Sequence, residues 1–224
     1  MIPIHYQCGD FVVVEKPAGL DFHDHNGAPG LFNQVRQQLG AAELYPVHRL
    51  DKVTSGLVVM AKTAAANRQL CQAFAEGRVE KNYLALSAKK PTKKQGAVVG
   101  DMQPGRRGAW RLLRSRENPA RTAFISRALR PGVRLFVVKP VTGKTHQIRV
   151  ALKSVGAPIL GDALYAGAPA DRTYLHAWRL RLPLNDSWHS FQLLPATGEE
   201  FVRPELGAVL NDLGPIEALP WPKA

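Results

Sequence analysis

Asp51 is the side chain whose neighbours best equip it for chemistry. It stands in His48-Arg49-Leu50-Asp51-Lys52, one carboxylate beside two bases and a His, and Thr54-Ser55-Gly56 then leads into the apolar run Leu57-Val58-Val59-Met60-Ala61. A turn that closes onto a buried strand holds an acid rigidly. Positive neighbours favour its ionised form, which serves as a nucleophile or general base better than as a general acid. The same residues also read as a structural ion pair at a strand edge.

A second group follows Thr142-Gly143. Ile148, Leu152 and Val155 recur at helical spacing, while His146, Arg149 and Lys153 stand opposite at i, i+3 and i+7. The spacing predicts a helix over 145–155 with one face packed and one face basic, a pattern that an ordinary amphipathic helix shares. Tyr83 falls in an alternating run over 81–86, a strand in which tyrosine is usually a packing residue. Asp21, His23, Asp24 and His25 offer metal-ligand types without a framework to fix their geometry, so no metal is expected there. A metal-dependent nuclease built on those four is a rival reading.

The elements that must position these groups are legible in the pattern. Phe11-Val12-Val13-Val14 reads as a strand entering the Lys16-Pro17-Ala18-Gly19 turn. Leu31, Val35 and Leu39 mark a helix stopped by Gly40, and Ala66, Leu70, Ala73 and Phe74 mark another ended by Gly77. Leu135 to Val138 is a strand. Trp178, Leu180 and Leu182 alternate with Arg179 and Arg181 in another, for which 188–194 is the hairpin partner. A short helical pattern spans 202–213, and the proline-rich tail Leu219-Pro220-Trp221-Pro222 reads as extended.

With 224 residues, 45% of them apolar, the chain can bury one sizeable core, as a single domain over 1–224 with room for two lobes. Thirty Lys and Arg against 18 Asp and Glu give a net charge of +12, which favours a polyanionic partner, nucleic acid by default. The excess is concentrated. Residues 89–121 carry ten bases, among them Lys93, Lys94, Arg106 and Arg107, against only Asp101 and Glu117. Such a segment needs a counter-charge that a phosphate backbone supplies, so it reads as a strand-rich, RNA-contacting hairpin, although a solvated face has the same composition. Cys8 and Cys71 show no pairing pattern, no apolar run reaches membrane-spanning length, and no signal peptide opens the chain. Cys71 is expected in the core, the setting is expected to be cytoplasmic, and the chain is expected to be monomeric.

His48-Arg49-Leu50-Asp51 with Thr54-Ser55-Gly56-Leu57 and Ala61-Lys62 resembles the catalytic motif of the RluA-type pseudouridine synthases. Thr142-Gly143-Lys144-Thr145-His146-Gln147-Ile148-Arg149-Val150, continued by 156–162 and Tyr165, resembles that family's second signature. Lys16 to Leu20, Lys81 to Leu86 and Leu175-His176-Ala177 extend the likeness over nearly the whole chain. The resemblance implies an α+β fold: a mixed, mostly antiparallel central sheet flanked by helices and loops, with the active cleft across it. It also implies the catalytic domain alone, without the S4-type RNA-binding domain many members carry.

The implied reaction isomerises a uridine in ribosomal or transfer RNA to pseudouridine, with no cofactor and no metal. By the same resemblance Asp51 is the catalytic carboxylate, acting on C1′ as a nucleophile or on the 2′ proton as a base, and Arg149 pairs with it directly. Tyr83 lies against the base, Leu175 forms the opposite wall, and Arg49 fills the space of the flipped nucleotide. Lys144 and His146 join the RNA contacts. Lys144 stands where the family commonly has Arg, and Ala151 where it often has His, changes that bear on phosphate contacts. A non-catalytic basic RNA-binding module accounts for the charge but leaves the Asp51 motif without a purpose.

Overall fold

The computed structural model describes residues Met1–Ala224. In chain order the first elements are β1 (Ile4–Gln7), β2 (Phe11–Lys16), α1 (Leu31–Leu39), β3 (Tyr45–Pro46), β4 (Ser55–Ala61), α2 (Ala64–Ala75) and β5 (Glu80–Ser87). Then come β6 (Gln95–Gly100), β7 (Met102–Pro104), β8 (Trp110–Leu112), β9 (Ala120–Arg130) and β10 (Val133–Pro140). The last are α3 (Gln147–Ser154), β11 (Leu175–Leu184), β12 (Ser187–Gln192) and α4 (Pro204–Leu213). The fold is α+β with a mixed, mostly antiparallel sheet. The chain forms two compact units, the first from 1–81 and 176–194, the second from 82–175 and 195–224.

In the first unit β2 pairs antiparallel with β1 and β4, whereas β4 pairs parallel with β11 through Ser55↔His176 and Gly56↔Ala177. Strands β2 and β4 are buried on both faces, which is why Phe11 to Val14 and Leu57 to Ala61 are unbroken apolar runs instead of alternating ones. Every second residue packs on one layer: Phe11 and Val13, Leu57 and Val59, Leu180 and Leu182 meet Ala66, Leu70 and Ala73 of α2. Thr63 caps that helix, its hydroxyl accepting from the Ala66 N–H at 3.1 Å. Cys71, expected in the core, is only half-buried: its position on α2 turns it off the packed face, and its thiol reaches Asn67 Oδ1.

In the second unit β10 pairs antiparallel with β5 and β9, and β6 pairs antiparallel with β9. Pro131-Gly132 makes the β9–β10 turn, Gly132 taking the left-handed conformation with φ 78°. β7 and β8 form a separate two-stranded ribbon. Two expectations are corrected here. Helix α3 starts at Gln147, because His146 takes a left-handed conformation (φ 56°) and so stands outside the helix. Its first six residues are all buried, so the expected exposed basic face is reduced to Lys153 and the last turn. Ile216–Ala218 forms a 3-10 turn just before the proline-rich tail, whose first residue, Leu219, is extended.

Candidate active site

The Asp51 turn is fixed by hydrogen bonds around it. Thr54 N–H donates to Asp51 O at 3.0 Å, and Lys52 O accepts from Gly19 N–H at 2.8 Å and from Lys16 Nζ at 3.0 Å. Lys16 is wholly buried and also donates to Pro17 O, so its ammonium places a desolvated positive charge beside the turn. The sequence signal for it was a lysine ending the Phe11–Lys16 strand just before Pro17. Outside the turn, Lys52 Nζ pairs with Asp21 at 2.7 Å, and that hydrogen bond holds the Asp21 carboxyl below the usual range. Arg49 is exposed while Leu50 is buried.

His48 anchors the turn at its start. Its Nε2 accepts the Val59 N–H at 3.1 Å, and its ring stacks on Phe74 at 4.7 Å between centroids. Burial, with the Lys81 ammonium adding to it, lowers its pKa to about 3, so the ring is neutral and carries its proton on Nδ1. After the turn, Ser55 Oγ lies 2.8 Å from His176 Nδ1, and His176 Nε2 lies 2.8 Å from Leu193 O. A carbonyl only accepts, so His176 donates from Nε2 to Leu193 O. Gly56 lets β4 and β11 approach: its φ is 114°, and a Cβ there would sit 2.3 Å from Ala177 O.

In the second unit Arg149 is buried and forms a two-pronged pair with Asp162, Nε to Oδ2 at 2.7 Å and Nη2 to Oδ1 at 2.8 Å. A guanidinium with this many fixed donors can be buried once a carboxylate matches its fork. Asp162 went unassigned although it ends the second signature. The Tyr165 ring lies against the Arg149 guanidinium at 4.9 Å. The Tyr165 hydroxyl accepts the Trp110 N–H at 2.9 Å and lies 2.8 Å from His146 Nδ1. Tyr83 sits on β5 opposite Val138, 9% exposed, and Leu175 is buried.

The basic segment 89–121 contains β6, β7, β8 and the start of β9, with Lys93, Lys94, Arg106 and Arg107 all exposed. Arg106 and Arg107 occupy the tip of the β7–β8 ribbon, closed by Gly105 N–H donating to Ala109 O at 2.6 Å. Lys144 is half-buried, its Nζ donating to Asn118 Oδ1 at 3.0 Å. Asp24 of the 21–25 cluster serves as a loop brace, accepting from Gly30 N–H and Asn33 Nδ2. No three His, Cys, Asp or Glu side chains come together as a metal site requires. No helix is long and apolar enough to cross a membrane.

Residues 10–154 match the family described as RNA pseudouridylate synthase. An RNA pseudouridine synthase of Haemophilus influenzae, itself described as uncharacterized, is 45% identical over 205 residues, which is 91% of this chain and 92% of that protein. The dual-specificity RNA pseudouridine synthase RluA of Pasteurella multocida is 34% identical over 86% of this chain and 92% of its own length. Among solved structures, human RNA pseudouridylate synthase domain containing 1 aligns with a TM-score of 0.72 at 26% identity, covering 86% of this chain and 83% of that one. With the motif turn of Asp51 and the signature helix of Arg149 both inside the matched span, the chain belongs to the RNA pseudouridylate synthase family, is of the RluA type, and is an isomerase.

Proposed function

We propose that this chain converts a specific uridine of ribosomal or transfer RNA to pseudouridine, acting as a monomer in the cytoplasm, with Asp51 as its catalytic carboxylate. The reaction breaks the bond from C1′ to N1, turns the uracil, and forms a bond from C1′ to C5. N1 gains a proton and C5 loses one, so atoms balance and no electrons are exchanged. Asp51 acts either on C1′ or on the 2′ proton. Arg149 is its cationic partner, Tyr83 and Leu175 confine the base, and Arg49 takes the place of the extruded nucleotide. Lys144, His146 and the segment 89–121 hold the RNA.

The observation that carries this reading is the bracing of the Asp51 turn. Lys16, Gly19 and Thr54 fix the backbone on either side of the carboxylate, and His48 and Ser55 tie down the two ends of the motif. Such bracing is what a reacting group held for attack requires, and a surface ion pair gains little from it. Asp51→Asn keeps the shape and removes both nucleophile and base. It is expected to abolish pseudouridine formation in cellular RNA while the protein still folds and binds RNA. Turnover close to that of the unaltered protein sinks the assignment.

A further inference from the structure

The two acids of the basic segment, Asp101 and Glu117, line the same cavity. It measures about 450 Å³ and is walled by Met102, Trp110, Asn118 and Lys144 as well. That volume lies within the range of small-ligand pockets, roughly 300 to 1,000 Å³. Asp101 is engaged within the protein, so it is the Glu117 carboxylate, in a pocket of a surface otherwise built to meet phosphate, that calls for a ligand presenting hydrogen-bond donors and belonging to a polyanion. An unpaired nucleobase satisfies both requirements.

The pocket is preformed. Asp101 Oδ2 accepts from Glu117 N–H at 3.0 Å and Oδ1 from Asn118 N–H at 2.9 Å, so Asp101 sets the turn that carries the next two residues. Hydrogen bonds, the Ser115 side chain first and these two N–H groups with it, hold its carboxyl below the ordinary range. Trp110 is fixed through its backbone by Tyr165. Lys144 occupies Asn118 Oδ1, which leaves the Asn118 amide N–H groups to face a ligand. Glu117 is exposed and makes no side-chain hydrogen bond or ion pair within the protein.

The pocket therefore offers an indole and a thioether to stack on, a carboxylate with two adjacent acceptors, and an amide and an ammonium as donors next to it. Of the RNA bases only guanine shows two adjacent donors, N1–H and the N2 amino group, followed by an acceptor, O6. Adenine and cytosine pair one amino donor with an acceptor, and uracil has a single donor between two acceptors. We infer that this pocket binds an unpaired guanosine of the substrate RNA, distinct from the uridine that is isomerised, with Glu117 reading N1–H and N2, Asn118 reading O6, Trp110 stacking, and Lys144 meeting the phosphate. The inference rests on the proposed RNA substrate.

The test is calorimetric titration of the full chain with GMP, IMP and AMP, where IMP differs from GMP only in lacking the N2 amino group. GMP is expected to bind about tenfold more tightly than IMP or AMP. Glu117→Gln should erase the difference between GMP and IMP, Asn118→Asp should weaken GMP by placing an acceptor against O6, and Trp110→Ala should weaken all three nucleotides about tenfold. Glu117 and Asn118 sit on an exposed turn, so both variants read out on folded protein. Equal affinity for GMP and IMP, a GMP preference that survives Glu117→Gln, or no binding of any nucleotide overturns the inference. The titration requires no turnover and can be run on Asp51→Asn protein, so its failure is separate from failure of the catalytic assignment.

Discussion

Arg149 and Asp162 face each other as a buried, two-pronged ion pair, 2.7 and 2.8 Å in its two arms, with side chains 5% and 2% exposed. Asp162 holds the guanidinium in one plane, and the Tyr165 ring covers it at 4.9 Å. Removing one partner of such a pair leaves an uncompensated buried charge, which costs about 3–5 kcal/mol, whereas replacing both with apolar groups is often near neutral. Arg149→Met should therefore lower the urea unfolding free energy by about 3 kcal/mol or more, because it leaves the Asp162 carboxylate buried without its guanidinium. Arg149→Met combined with Asp162→Leu should recover most of that stability without recovering pseudouridine formation. If the double variant stays as unstable as the single one, the pair is not the source of the loss.

Tyr165 joins the β7–β8 ribbon to the signature helix through one oxygen. Tyr165→Phe keeps the ring over Arg149 and deletes the acceptor of the Trp110 N–H and the partner of His146. An unmet buried donor costs about 1–3 kcal/mol. The local consequence is more telling than the global one: amide exchange at Trp110 and its ribbon neighbours should speed up in Tyr165→Phe, and guanosine recognition in the adjoining pocket should weaken with it. Unchanged exchange at Trp110 would mean the ribbon is held by other contacts.

Strands β2 and β4, helices α1 and α2 and the β11–β12 hairpin were legible because their apolar periodicity and their Gly stops are local signals. Strands β1 and β3 were missed for the same reason, since β1 is an exposed edge strand, Ile-His-Tyr-Gln, with no buried face to impose alternation, and β3 is two residues long. Asp51 was recognisable from its motif, yet what braces it was not. Lys16 lies far back in the chain from Lys52 and His176 far ahead of Ser55, and nothing local says that they meet. Arg149 was found, yet its two-pronged pairing with Asp162 was not, because periodicity records which side of a helix a residue takes and not which carboxylates of the fold meet it there.

His48 gives a pH dependence whose sign follows from its environment. Its pKa is about 3 in the folded protein against 6.5 for an ordinary histidine, so below pH 6.5 the unfolded chain takes up a proton that the folded chain refuses. Stability contributed by the neutral ring is whole above pH 6.5 and declines as pH falls toward 3. Thermal unfolding should show the midpoint dropping from about pH 6.5 to about pH 5, above the carboxylate range. His48→Gln, which cannot titrate, should start from a lower midpoint and fall less steeply over that window. An identical slope in the two proteins would show that His48 is not the titrating group.

The basic segment should declare itself through salt. Lys93 and Lys94 precede β6, whereas Arg106 and Arg107 sit at the ribbon tip, and all four are exposed. Each one that neutralises a phosphate releases a condensed counterion, so a plot of log affinity against log salt steepens by just under one unit per contact. Replacing all four with Gln should make that slope shallower by about 3 to 4. Measured as pairs, Arg106 with Arg107 and Lys93 with Lys94 should each account for about half of the change if both ends of the segment touch RNA. Since charge neutralisation at exposed sites leaves the Asp51 turn intact, saturating RNA should restore the turnover of the fourfold variant. A slope that does not move would show that this face meets solvent, and the affinity for RNA would then have to come from residues of the signature stretches, Lys144 and His146 among them.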